Sequence, residues 1–149
     1  MKNKKGFTLI ELLAVIAIIA LISMIAIPNI VGLSDGIRKD NMLADAKKLI
    51  SMAKYKVQTD FEIRNFTKSG MCVENLCTLS FNFLNTNGDI KKDPDDKNYN
   101  ADASYVRYYK SGNNVNYCVV LVGQERHIGN SSDCKNENEL YSRSNVQPN

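Results

Sequence analysis

The chain has 149 residues, enough for one domain with a core, and 44% of them are apolar. Its formal charge of +3 is supplied by Lys2, Lys4 and Lys5, and without the first six residues sixteen basic groups would face sixteen acidic ones. A body so nearly neutral offers no broad cationic field for nucleic acid or anionic lipid, so binding of either kind would need a local patch.

The apolar residues are unevenly spread. Between Leu12 and Ile27 only Ser23 is polar, whereas Asn85 to Asp102 is mostly Asn, Asp and Lys. The pattern is that of an apolar stalk joined to a soluble head. A basic start followed by an apolar run fits a secretory signal peptide, a membrane anchor or a more specific signal. A secretory signal has an apolar region of roughly 7 to 15 residues and then a small-residue cleavage site, but here the run continues to Pro28 without a polar region ahead of a cut. About 20 apolar residues cross a hydrocarbon core about 30 Å thick, and the lysines ahead of them would keep the amino terminus cytoplasmic. Glu11 argues against a plain anchor, because a carboxylate within such a segment is costly and usually marks function.

Lys4-Lys5-Gly6 followed by Phe7-Thr8-Leu9-Ile10-Glu11-Leu12-Leu13 resembles the class III leader and amino-terminal signature of type IV prepilins and the related pseudopilins. The resemblance implies a leader over 1–6, a hydrophobic transmembrane and polymerisation helix over 7–33, and a globular head over 34–149. It implies cleavage after Gly6 by a membrane-embedded prepilin peptidase and N-methylation of the new terminus at Phe7. A glycine suits the cut, since no Cβ obstructs a protease approaching the backbone. Cleavage would create an α-ammonium on Phe7, and Glu11 lies one helical turn away from it, or opposite the ammonium of an adjacent subunit. In a packed apolar filament core, pairing is favoured over two unpaired charges. The resemblance favours the intersubunit pairing, and the sequence leaves both open. A carboxylate snorkelling to the headgroups is a third reading, suited to a subunit waiting in the membrane.

Beyond the apolar run the period changes. Met42, Ala46, Leu49, Ala53, Val57 and Phe61 recur at three- and four-residue steps, with Asp40, Asp45, Lys47, Lys48 and Lys54 mostly off that stripe. One helix from Phe7 to Asp60 would be about 80 Å long. Pro28 removes an N–H and presses on the carbonyl four residues earlier, which predicts a kink between Met24 and Pro28. In the resembled family a proline here lies near a segment that loses helicity in the filament; Ala20 stands where many pilins have a further glycine. Burying each Leu, Ile or Val is worth roughly 1.5–3 kcal/mol, so the stalk would leave a bilayer only if its extraction were coupled to reburial.

The head begins with the helix's second half and an αβ loop over 62–103. Leu79 to Leu84 is apolar, and NTNGDIKKDPDDKNYNAD reads as a surface loop with Asn-Gly and Asp-Pro turns. Ser104 to Lys110 and Val115 to Val122 read as strands joined by a hairpin at 111–114, with a third short strand over Glu125 to Ile128. The fold class expected is α+β: a long amino-terminal helix, its apolar half protruding, packed on a three- or four-stranded antiparallel sheet at 104–128, a lollipop.

Four cysteines in an extracytoplasmic head suggest disulfides, and three pairings are open. The favoured one joins Cys72 to Cys77 and Cys118 to Cys134, and the second of these resembles the carboxy-terminal disulfide loop of many pilins over 118–134. The cysteine spacings fit a zinc ribbon poorly. Asp93, Asp95, Asp96 and Asp102 fail the EF-hand spacing and read as a solvated acidic loop rather than a calcium site. Tyr105, Arg107, Tyr108 and Lys110 mix aromatic and basic groups as a single-strand DNA platform would, but strand alternation explains them equally well. His127 is the sole histidine and has no evident nucleophile partner. No catalysis, cofactor or metal is expected.

The function expected is that of a structural subunit of a type IV pilus, a single-pass membrane precursor that polymerises into a surface filament for adhesion or motility. A pseudopilin of a type II secretion or DNA-uptake system is the alternative. Its partners would be other copies of itself, the peptidase, the membrane before assembly, and an inner-membrane platform with an assembly ATPase.

Overall fold

The computed structural model describes residues 7–149, and for 25–31 the backbone only. The expected leader and its cleavage residue Gly6 therefore lie outside the described residues. The chain falls into two compact units, one running to Ile37 and the other from Arg38 to Asn149. A single helix, α1 (Leu9–Thr59, 51 residues), contributes to both.

In the first unit every large apolar side chain from Phe7 to Met24 is exposed. The one polar residue inside the run, Ser23, donates its hydroxyl to the Ile19 carbonyl at 2.8 Å, so the run carries no unsatisfied hydroxyl there. The helix includes Pro28, and the kink expected beside it falls on residues whose side chains lie outside those described. Among the described residues no helix is long and apolar enough to cross a membrane; the span expected over 7–33 includes 25–31.

In the second unit α1 turns one face inward. Met42, Ala46, Leu49 and Ala53 are fully buried and Val57 nearly so, as the stripe predicts. Leu43 and Ile50 widen it, the usual consequence of packing a helix against a broad sheet rather than a single partner helix. Phe61 does not extend the stripe and is 68% exposed. The helix stops before it, because Asp60 caps a new turn, α2 (Phe61–Arg64), accepting from the Glu62 and Ile63 N–H groups. That change of direction puts Ile63 in the core instead.

The sheet has seven strands rather than three or four: β1 (Cys72–Val73), β2 (Leu76–Ser80), β3 (Tyr105–Ser111), β4 (Asn114–Val122), β5 (Arg126–Ile128), β6 (Lys135–Asn136) and β7 (Val146–Pro148). Their order is β1-β2-β3-β4-β5-β7, with β6 also beside β4, and every pairing is antiparallel. Between β2 and the αβ loop lies α3 (Phe81–Leu84), capped by Ser80. The β3–β4 hairpin closes at Ser111 and Asn114 on a two-residue turn in which Gly112 has φ +62°.

Alternation along β3 sends Val106 and Tyr108 into the core. Along β4, Val119 and Leu121 face the helix, and Cys118 and Val120 on the opposite face are buried as well. Their cover is the segment after β5, which doubles back over β4 at Gly129. That glycine has φ +66°, and a Cβ there would meet the Asp133 carbonyl at 2.8 Å, so no other residue fits without strain. Two short 3₁₀ helices, Glu137–Tyr141 and Arg143–Asn145, then lead to β7, and Leu140 and Val146 complete the core.

Two carboxylates on α1 have opposite environments. Asp45 is half-buried, and burial pushes its carboxyl above the usual carboxylate range although the Tyr99 hydroxyl donates to it at 2.8 Å. Asp40 is exposed and held below that range by Arg143, whose Nε donates to Oδ1 at 2.6 Å.

Leu49→Ala should lower unfolding free energy by about 3 kcal/mol, whereas Tyr55→Ala, on the exposed face, should change it by less than about 0.5 kcal/mol. Urea denaturation of the full chain in detergent measures both, and equal effects would contradict the assignment of the stripe as core. The two aspartates should respond oppositely to pH. A raised carboxyl gives stability that is present below the ordinary carboxylate range and lost as pH rises through the folded value, so Asp45→Asn should stabilise at pH about 7 and be neutral at pH about 3. A lowered one gives stability that is lost as pH falls, so Asp40→Asn should destabilise modestly at neutral pH, its effect vanishing in acid. Shifts of the same sign would contradict these environments.

Candidate functional site

The residues singled out in the sequence fall at the start of α1, on the disulfide-bonded strands, in the loop before β3, and on β3 and β5.

At the start of α1, Phe7 is almost fully exposed. Glu11 is also exposed, and its carboxylate is occupied locally. The Thr8 N–H donates to Oε2 at 2.8 Å and the Thr8 hydroxyl donates to the same oxygen at 2.9 Å. In return the Glu11 N–H donates to the Thr8 hydroxyl at 3.3 Å. This reciprocal arrangement is a capping box, in which Thr and the Glu three residues later satisfy helix-start donors that have no partner within the helix. It offers the carboxylate a neutral partner of its own, distinct from the Phe7 ammonium considered above. Thr8 is the capping partner of Glu11 that was missed in the sequence. Thr-Leu-Ile-Glu ahead of an apolar run is the signal that could have found it.

In the head, both disulfides join the favoured pairs, Cys72 with Cys77 and Cys118 with Cys134. The first links directly opposed residues of β1 and β2. The second ties β4 to the segment that covers its outer face, with Cα atoms 5.5 Å apart. Closing a loop of this span contributes about 3 kcal/mol in the chain-entropy model.

The acidic loop is not simply solvated. Asp93 is buried and accepts three backbone N–H groups, from Asp95, Lys97 and Gln124, at 2.8 to 3.0 Å. Asp95 is clamped by Arg126 through two bonds, Nε to Oδ2 at 2.8 Å and Nη2 to Oδ1 at 2.9 Å, and Arg38 reaches it at 3.1 Å. These two carboxylates fix the loop to β5 and to α1, because buried acceptors without donors would be costly. Asp96 pairs with Lys92 at the surface, and Asp102 is exposed. Among the described residues no three metal-ligating side chains converge.

The aromatic and basic series on β3 divides between two faces. Tyr105 and Arg107 lie outward, the guanidinium 5.0 Å from the ring centre and donating to the Ser131 carbonyl at 3.2 Å. Tyr108 points inward, buried, and stacks on Phe66 with centroids 4.6 Å apart. A platform using all four residues is therefore not assembled. His127 contacts Asn149 through Nδ1 at 2.9 Å, and among the described residues no nucleophile is bonded to it.

No curated protein and no solved structure matches the chain. Its start does match a family model: residues 1–27 carry the prokaryotic N-terminal methylation motif, the class III signal peptide of type IV pilins and pseudopilins.

Proposed function

We propose that this chain is a structural subunit of a type IV pilus. The precursor sits in the cell membrane with its amino terminus cytoplasmic, a prepilin peptidase removes 1–6, and the mature subunit begins at a methylated Phe7. An inner-membrane platform and its ATPase then move the subunit into a surface filament, where the apolar part of α1 packs among copies of itself. The observation that carries this reading is the match at residues 1–27. It is supported by the exposed apolar surface of α1 from Phe7 to Met24, which needs cover from lipid or from other helices, and by a head with its own core from Met42 to Val146.

Glu11 has two roles in this scheme. In the precursor its carboxylate caps the helix through Thr8, which keeps it satisfied while the chain waits. After cleavage the Phe7 ammonium offers a partner of opposite charge, within the subunit or on a neighbour, and the attraction of opposite charges is strong in an apolar surrounding.

Glu11→Val should leave cleavage after Gly6 intact and cut surface filaments by about tenfold or more, since it strands the ammonium in an apolar core. Electron microscopy of the native cell's surface, with amino-terminal sequencing of the subunit, reads both quantities. Gly6→Val should block cleavage altogether. Normal filaments from Glu11→Val would overturn the charge pairing, and assembled wild-type subunits that retain residues 1–6 would overturn the leader assignment. Processed subunits confined to the envelope without surface filaments would instead support a pseudopilin.

A further inference from the structure

Strand β4 is paired unevenly. On one side β3 accompanies it from Asn114 to Val120. On the other side β5 and β6 meet it only from Cys118 onward, at Cys118, Val119, Leu121 and Val122. From Asn114 to Tyr117 that second edge has no strand beside it among the described residues.

The orientation of the bare edge follows from the hairpin. The Lys110 N–H donates to the Asn75 carbonyl at 3.1 Å, away from Val115, which lies opposite in register. Lys110 and Val115 are thus a non-hydrogen-bonded pair, and in such a pair the N–H and C=O of both residues point outward. Val115 presents its backbone groups to the open side. Tyr117, two residues on, is oriented the same way, just beyond the end of β6, whose last residue Asn136 lies opposite Cys118.

A groove of about 520 Å³ runs along this edge, within the size range of ligand sites. It is lined from both faces of the sheet. On the helix side are Tyr117 and Lys54, the ammonium 5.7 Å from the ring centre. On the outer side are Tyr109 and Asn116, opposite one another in register, and the Tyr109 hydroxyl donates to Asn136 Oδ1 at 3.1 Å. A platform for a sugar ring would be built on one face. A slot that wraps a free edge suits a strand, whose side chains alternate between the two faces.

Charge narrows the occupant. Glu137 and Glu139 line the slot with one ammonium, that of Lys54, which is bound to Glu137 at 2.6 Å. Lys135 lies 3.8 Å from Glu139 but is held closer by Asp133, at 2.6 Å. The lining keeps a carboxylate in excess.

The geometry points to a docking site for an extended polypeptide segment of a partner, carrying a basic side chain, which adds to the sheet along the Asn114 to Tyr117 edge. This does not rest on the pilus reading and stands or falls separately from it.

The test uses the full chain in detergent micelles and a capped pentapeptide of alternating valine and lysine, followed by backbone amide NMR. The Val115 and Tyr117 amide signals should shift saturably and their hydrogen exchange should slow. Methylating the peptide's central backbone nitrogen should weaken binding about tenfold, because it removes a main-chain bond and leaves the side chains. Glu139→Gln should weaken it about threefold, with the Asn136 cap retained. Absence of a saturable shift, or equal binding of the methylated peptide, would overturn the proposal. Unchanged affinity with Glu139→Gln would overturn the choice of a basic segment.

Discussion

A helix that is apolar on every side needs cover on every side, and a single sheet covers one. This constraint divides the molecule. From Phe7 to Met24 the side chains of α1 are exposed all round, and no element of the described chain meets that demand. From Met42 to Val57 the same helix has an apolar stripe and a polar back, which is what a small antiparallel sheet can satisfy. The sheet, the disulfides and the clamp on the αβ loop follow from the second demand. The methylation motif at the amino terminus belongs with the first.

Glu11 shows how a charge can sit in such a segment without being stranded. Its carboxylate takes the Thr8 N–H and hydroxyl, donors that a helix start leaves free in any case. The bonds are short and local and their donors are uncharged, so they form without a partner subunit. Thr8 and Glu11 together therefore close the start of α1.

Much of this was legible in the sequence. The stripe from Met42 to Val57 is periodic, and β3 and β4 carry alternation bounded by a Ser-Gly-Asn-Asn turn, so burial and register both left a pattern. Phe61 misled because periodicity does not register a cap, and Asp60 redirects the chain one residue earlier. The short strands β1, β6 and β7 have two or three residues each, too few for a period, and exist because β2, β4 and β5 offer edges to pair with. The roles of Asp93 and Asp95 were hidden for a different reason. Their partners, Gln124, Arg126 and Arg38, lie far off in sequence, and composition alone makes an Asp-rich loop look solvated. In the candidate site, the Glu11 position was evident and its Thr8 partner was not, although the capping-box spacing was present.

The return of the chain over α1 also makes the core depend on long-range contacts. Lys54 meets Glu137 across 83 positions and Asp40 meets Arg143 across 103, while Leu140 and Val146 close the core. The stripe is covered by the sheet and, in part, by segments from the distant end of the chain. Non-local closure of this kind is slow, and slow closure leaves apolar surface open to association with other chains. Cys72–Cys77 closes a short loop of near neighbours, whereas Cys118–Cys134 ties β4 to the segment that returns over it. A chain lacking its final segment would therefore leave part of the apolar stripe of α1 uncovered.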